Sequence, residues 1–273
     1  MDGLGVFDLR GEQFLWLYGV LAVLTVFAGL AIPRWLRPDG RYAPVSDSED
    51  LAYLAGGSER LGEAVVARLL SVKALEAGRA RFAILRSDDG RTPAERTVLG
   101  LGIAASWKEI RKAVGQDAQR IDERLTGWGL IIDGATRLQM RFWQTSPYIA
   151  LLFFGAVKWQ VGVSRDKPVE TLTVFMIITA IAAVLRFAAL DLRTREGLAV
   201  LASAKAVSDR MRRAPLAQET GMAVALFGTS VLAGSQFATF HQLRTNSGTS
   251  GGCGGGDSGC GGGGGGGCGG CGD

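Results

Sequence analysis

The chain has 273 residues, 47% of them hydrophobic, with a formal net charge of +4 and a single histidine. Its mean hydropathy is +0.18, and the apolar residues gather in long uncharged runs, which argues for a membrane protein. The small net charge leaves no electrostatic footprint for nucleic acid. With no cysteine before residue 253, no disulfide framework staples the body.

After a short N-terminal segment, 1–13, the first run is "FLWLYGVLAVLTVFAGLAI", 14–32. It carries no charge and has the length of a bilayer-crossing helix, about 20 residues. A signal peptide is the competing reading. The preceding residues include Asp2, Asp8 and Glu12 beside Arg10, and "IPRWLRP" follows in place of a small-residue cleavage site, so the run reads as an uncleaved anchor. Trp16 and Tyr18 suit one interface and Trp35 the other.

Residues 33–146 are enough for one small domain. They show one pattern twice: a short helix, a break, a longer helix and a short strand. The first copy is "SDSEDLAYLAGG", "SERLGEAVVARLLSVKAL", "RARFAIL"; the second is "TPAERTVLGLG", "SWKEIRKAVGQDAQRIDERLTGWG", "LIIDGATRLQM". Ser48 or Asp50 and Ser58 are cap candidates, and Thr92-Pro93-Ala94-Glu95 is a capping box with proline at the first helical position. Leu61, Val65, Leu69 and Val72 keep the helical period, as do Ile110, Val114, Ile121 and Leu125. Two helices and a strand with basic residues on the second helix describe a winged-helix-like domain. From 47 to 141 the chain has 15 basic and 14 acidic residues, too even a balance for a surface that must hold phosphates. The expected partner of this domain is a protein, and no nucleic acid is expected.

Two further runs, "PYIALLFFGAVKWQVGV" (147–163) and "TLTVFMIITAIAAVLRFAAL" (171–190), are joined by the short "SRDKPVE". So short a link makes them antiparallel neighbours, a transmembrane hairpin over 147–190. Basic residues flank one side of all three runs: Arg34, Arg37 and Arg41; Arg137 and Arg141; Arg193 and Arg195. The positive-inside rule then sets the N-terminus outside and the domain in the cytoplasm. Lys158 and Arg186 fall near the ends of their runs, where long basic side chains snorkel to the headgroups.

Residues 191–246 read as C-terminal helices. Within them "GMAVALFGTSVLAGSQFATF", 221–240, lacks charge but includes Thr229, Ser230, Ser235 and Gln236. It is either a fourth span or a helix packed on the cytoplasmic domain or the interface; the polar residues favour the second.

The tail, 247–273, contains Cys253, Cys260, Cys268 and Cys271, and 17 of the chain's 40 glycines lie within it. Glycine loses the most conformational freedom on ordering, so a disordered tail is expected. Three readings of its cysteines stand. The first is a tether presenting ordinary thiols. The second is a soft-metal site for zinc or copper(I) on Cys253, Cys260, Cys268 and Cys271. The spacing Cys-x6-Cys-x7-Cys-x2-Cys has only one CxxC pair. The third rests on a resemblance: the Gly-Cys pairs are similar to the core region of thiazole/oxazole-modified microcin precursors, which implies azole rings as a modification. No cofactor is otherwise expected.

No HExxH, Walker loop or helix-opening GxGxxG is present, and His241 lies beyond the last apolar run. No Ser–His–Asp or Cys–His arrangement forms without bringing it back to the body. The chain is therefore read as not an enzyme. The fold class expected is a mainly α membrane protein with an anchor helix, a small winged-helix-like domain, a hairpin and a disordered Gly/Cys-rich tail.

The succession of anchor, helical domain, "GAVKWQVGVSRDKPV", "LRTREG", "ALFG" and Gly/Cys tail resembles a family of uncharacterised bacterial membrane proteins that end in low-complexity Gly/Ser/Cys sequence. The resemblance covers essentially the whole chain. It implies the bacterial plasma membrane and brings no catalytic residue. The function expected is a membrane-anchored interaction or scaffold protein whose partners are the lipid bilayer and a protein.

Overall fold

The uncharged 14–32 run forms one helix with its flanks, α1, Gly11–Leu36, which continues through Gly19, Gly29 and Pro33. It opens a computed structural model that describes residues 11–78, 81–164 and 170–247. The described residues are mainly helical. Two helices, Gln13–Leu36 and Glu170–Ala188, are long and apolar enough to cross a membrane. The second of these is α6.

Between them runs α5, Gly134–Ser164, a single helix of 31 residues. The expected boundary between residues 146 and 147 therefore falls inside a helix. Pro147 removes one backbone donor, yet the helix continues past it, carried by packing on both neighbours. Helices α1, α5 and α6 touch one another pairwise. Phe14, Tyr18, Leu151 and Leu172 are buried between them, with Phe14 stacked on Phe154 at 5.4 Å.

The domain begins at α2, Ser48–Ser71, capped by Asp47, whose carboxylate accepts from the Glu49 N–H. Its backbone leaves the helical region at Gly56 and Gly57, so α2 is the short helix, break and longer helix expected of this stretch, joined without a loop. Strands β1 (Leu75–Ala77) and β2 (Phe82–Ile84) pair antiparallel, Leu75 opposite Ile84. Helix α3, Pro93–Leu99, starts on the Thr92/Glu95 capping box. Strand β3, Ala104–Ala105, closes a three-stranded sheet in the order β1-β2-β3. Helix α4, Trp107–Gly127, has a second capping box on Ser106 and Glu109.

The second copy of the expected pattern ends differently from the first. "LIIDGATRLQM" supplies one isolated bridge, Ile131 to Arg193, and from Gly134 it is already α5. Its alternation is too short to hold a strand with no neighbour beyond that bridge.

Three connectors cross between the helix bundle and the domain and form a neck. Ile132 N–H donates to the Leu192 carbonyl at 2.8 Å, Arg195 N–H to Pro38 and Glu196 N–H to Asp39. Thr194 caps α7, Arg195–Val207, by accepting from Gly197 N–H at 3.1 Å. Its hydroxyl donates to the Gly129 carbonyl at 2.8 Å. A Cβ on Gly197 would stand 2.2 Å from the Leu130 carbonyl oxygen, so only glycine lets α7 start this close. The "RTREG" stretch is thus the fastening of the neck.

Beyond the short α8, Asp209–Arg213, the fourth apolar run divides. It forms α9 (Thr220–Phe227), a 3-10 turn (Thr229–Leu232) and α10 (Ala238–Ser247), broken at Gly228 with φ +86°. Val224, Ala225, Leu226, Leu232 and Phe240 are buried in the domain core with Leu61, Val65 and Leu69 of α2. A crossing helix needs about 20 residues, and α9 has 8.

Candidate functional site

The four cysteines proposed from sequence, Cys253, Cys260, Cys268 and Cys271, lie outside the described residues. Their point of departure is well defined. Phe240 of α10 is buried edge-on against Phe82, centroids 5.7 Å apart. One turn later the Arg244 guanidinium lies 4.0 Å from the centre of the Trp107 ring. Arg244 Nε donates to Glu63 at 2.9 Å and Nη2 to Glu59 at 3.1 Å. Arg111 of α4 also bonds Glu59. An aromatic face on one side and two carboxylates at the edge suit the flat guanidinium, which stacks and donates at once. His241 lies in α10, with Nδ1 3.2 Å from the Thr229 hydroxyl. Among the described residues no group of three or more His, Cys, Asp or Glu could hold a metal.

This anchor lies at the first turn of α4. The last turn of α4 ends at Gly127, beside Gly129 in the neck. Its 21 residues put about 30 Å between the two ends.

A second cluster lies where α2, α3 and residues 218–222 meet. The Glu95 carboxylate, 2% exposed, accepts from Arg91 N–H at 2.8 Å and Thr92 N–H at 3.3 Å and pairs with Arg68. Glu49, 8% exposed, has an Oε1 with no partner. Burial pushes its carboxyl up to about 7; a hydrogen bond with Thr92 opposes the rise, and the charges of Asp47, Glu95 and Asp117 add to it. Beside it is a cavity of ≈ 200 Å³ lined in part by Ser48, Glu49, Arg68, Glu95 and Gln218. Arg68 and Gln218 also border a neighbouring cavity of ≈ 330 Å³ with Arg91 and Ser71. Neither lining includes histidine or cysteine. What the cluster offers chemically is a carboxyl that changes charge near neutral pH. Sequence reading assigned Glu95 as a capping residue and missed Glu49. The signal was the crowding of Asp47, Glu49 and Asp50 before an apolar helix face.

The two basic residues inside the second and third apolar runs are engaged within the bundle. Arg186 Nε donates to the Gly29 carbonyl at 2.9 Å, and Gln144 Nε2 donates to the Arg186 carbonyl at 2.8 Å. Lys158 Nζ stands 5.0 Å from the centre of the Phe14 ring. Arg186 is thus tied to α1 through a backbone carbonyl, and Lys158 lies over a ring of the same helix. Sequence spacing does not show which helix comes alongside.

Family models, curated proteins and solved structures were all compared with the chain, and none of them matches it.

Proposed function

We propose that this chain is a membrane-anchored, non-enzymatic interaction protein that presents thiols from a domain held close to the bilayer. The observation that carries the reading is the docking of α10: Phe240 in the core and Arg244 on Trp107 bind the root of the cysteine tail to the domain. The first cysteine, Cys253, follows Ser247 by six residues, a reach of at most about 20 Å. On this reading α1, α5 and α6 cross the bacterial plasma membrane, the N-terminus is outside, and domain and tail share the cytoplasm. The tail thiols then stay reduced. The domain, winged-helix-like in having a basic helix beside a small sheet, binds a protein. The resemblance to bacterial membrane proteins with Gly/Ser/Cys tails belongs to the same reading.

All cysteines of the chain are in the tail, so the unmodified protein reports its own topology. A membrane-impermeant maleimide should leave intact cells unlabelled and label the chain after lysis. Labelling of intact cells overturns the shared side of domain and tail. Intact mass distinguishes the chemistry: an unmodified mass supports free thiols. Loss of one water and two hydrogens per cysteine establishes azoles and removes the thiol reading. One tight equivalent of zinc or copper, lost on deleting residues 248–273, replaces interaction with metal handling.

A further inference from the structure

The basic residues on the domain side of the bundle divide into two sets. Arg37 pairs with Asp191, Arg195 with Asp39 and Arg137 with Asp122, so these are consumed within the neck. Arg34, Arg41 and Arg141 form no ion pair among the described residues; Arg41 lies in the connector after α1, and Arg34 and Arg141 lie in the bundle helices α1 and α5 themselves. Arg34 is exposed. The Arg141 guanidinium lies over the Phe187 ring at 5.5 Å, and its Nε has no hydrogen-bond partner.

Both arginines stand at one level of the bundle. Gly29 of α1 lies against Tyr148 of α5, and the two helices run antiparallel, since Phe14 meets Phe154 at the other end. Going from Gly29 to Arg34 and Trp35 moves five or six residues, and from Tyr148 back to Trp143, Phe142 and Arg141 five to seven, in the same direction. At the helical rise that is about 8–10 Å on each helix. Trp35 is 84% exposed, Phe142 61% and Trp143 48%. Exposed tryptophan and phenylalanine beside unpaired arginine at one depth suit the headgroup zone of a bilayer, where an aromatic ring meets both apolar and polar surroundings. Water alone would favour neither exposed ring.

We infer that Arg34 and Arg141 bind the phosphate of anionic phospholipids in the leaflet facing the domain, with Trp35, Phe142 and Trp143 seated among the headgroups. The inference rests on the anchoring proposed above. Charge selects the occupant: two guanidiniums without a carboxylate partner face a surface that is negative wherever anionic lipid is present. The level also fixes how deep the chain lies, with the neck just outside the headgroups.

The test uses full-length protein in a neutral detergent, titrated with phosphatidylglycerol or phosphatidylcholine, with bound lipid counted by native mass spectrometry. Phosphatidylglycerol should be retained in preference. Arg34→Gln and Arg141→Gln should each weaken its retention about fivefold, while Arg34→Lys and Arg141→Lys keep most of it. Arg86→Gln, in the β2–α3 loop, should change nothing. Equal retention of the two lipids, or undiminished retention in the double glutamine variant, overturns the inference. So does displacement of the lipid by excess inorganic phosphate, which would make the site a phosphate site. A chain recovered from the soluble fraction of its host overturns the anchoring itself; a membrane-bound chain indifferent to lipid charge overturns this inference alone.

Discussion

Arg186 donates from Nε to the Gly29 carbonyl at 2.9 Å, and Pro33 is the reason that carbonyl is open. In α1 the carbonyl of residue 29 would accept from the N–H of residue 33, and proline has none. The bare face of Gly29 leaves room for the Tyr148 ring beside it, which a Cβ would approach to 2.7 Å. A charged side chain inside an apolar bundle is thereby explained by a backbone vacancy on another helix.

The pairing predicts non-additive mutations. Arg186→Met leaves a carbonyl unpaired among apolar side chains and should destabilise the bundle by about 1–3 kcal/mol. Pro33→Ala restores an N–H at the right position. In the Pro33→Ala background, Arg186→Met should therefore lose much less, a coupling of about 0.5 kcal/mol or more. Thermal unfolding of the four proteins in detergent checks it; strict additivity would show that Arg186 is held for another reason.

At the neck, Thr194→Val removes both the cap of α7 and the bond to Gly129, at a cost of about 1 kcal/mol for the cap alone. Thr194→Ser keeps both and should behave as the parent. Gly197→Ala places a methyl group 2.2 Å from the Leu130 oxygen. That contact is with backbone, so the neck must open. Faster proteolysis between the bundle and the domain, with Thr194→Ser unaffected, is the expected outcome; equal rates for Gly197→Ala would mean that the connectors are not interlocked.

The periodic and capped parts of this fold were legible in the sequence. The 14–32 run, the Thr92–Glu95 box and the Leu61–Val65–Leu69 face are local signals, and each sits in the element they announce. What was not legible depends on residues far apart in the chain. The bond from Arg186 spans 157 positions and that from Arg244 to Glu59 spans 185. The polar residues of the 221–240 run favour packing over a fourth span, but nothing in the run shows that its partner is α2. Glu49 looks like an ordinary first-turn carboxylate; its altered titration comes from the covering it receives where α2, α3 and residues 218–222 meet.

That covering has a pH signature. Glu49 holds its proton up to about 7, against an ordinary value of 4.5, because burial penalises its charge. The folded state therefore binds the proton more tightly than the unfolded one. The stability contributed by Glu49 is complete below about 4.5 and is lost as pH rises through about 7. Glu49→Gln mimics the neutral form. It should flatten the fall in melting temperature over that window and melt above the parent at higher pH. A variant with the parent's slope would assign the pH dependence to other groups.

The docking of α10 can be loosened without removing the residue that reports on it. Arg244 is a trypsin site, and in the folded chain it is stacked on Trp107 and bonded to Glu59 and Glu63. Trp107→Ala leaves Arg244 and both carboxylates in place but takes away the ring beneath it. A largely desolvated cation–π contact contributes about 1–2 kcal/mol, so the open population of α10 should rise about fivefold or more. When opening is fast relative to cleavage, the rate of tail release follows that population. Trypsin should therefore free residues 245–273 at least fivefold faster from Trp107→Ala, while the melting temperature of the bundle stays near that of the parent. Release at the parent's rate would show that the stacking on Trp107 contributes nothing to where the cysteines start, and that Phe240 and the two carboxylates hold the helix.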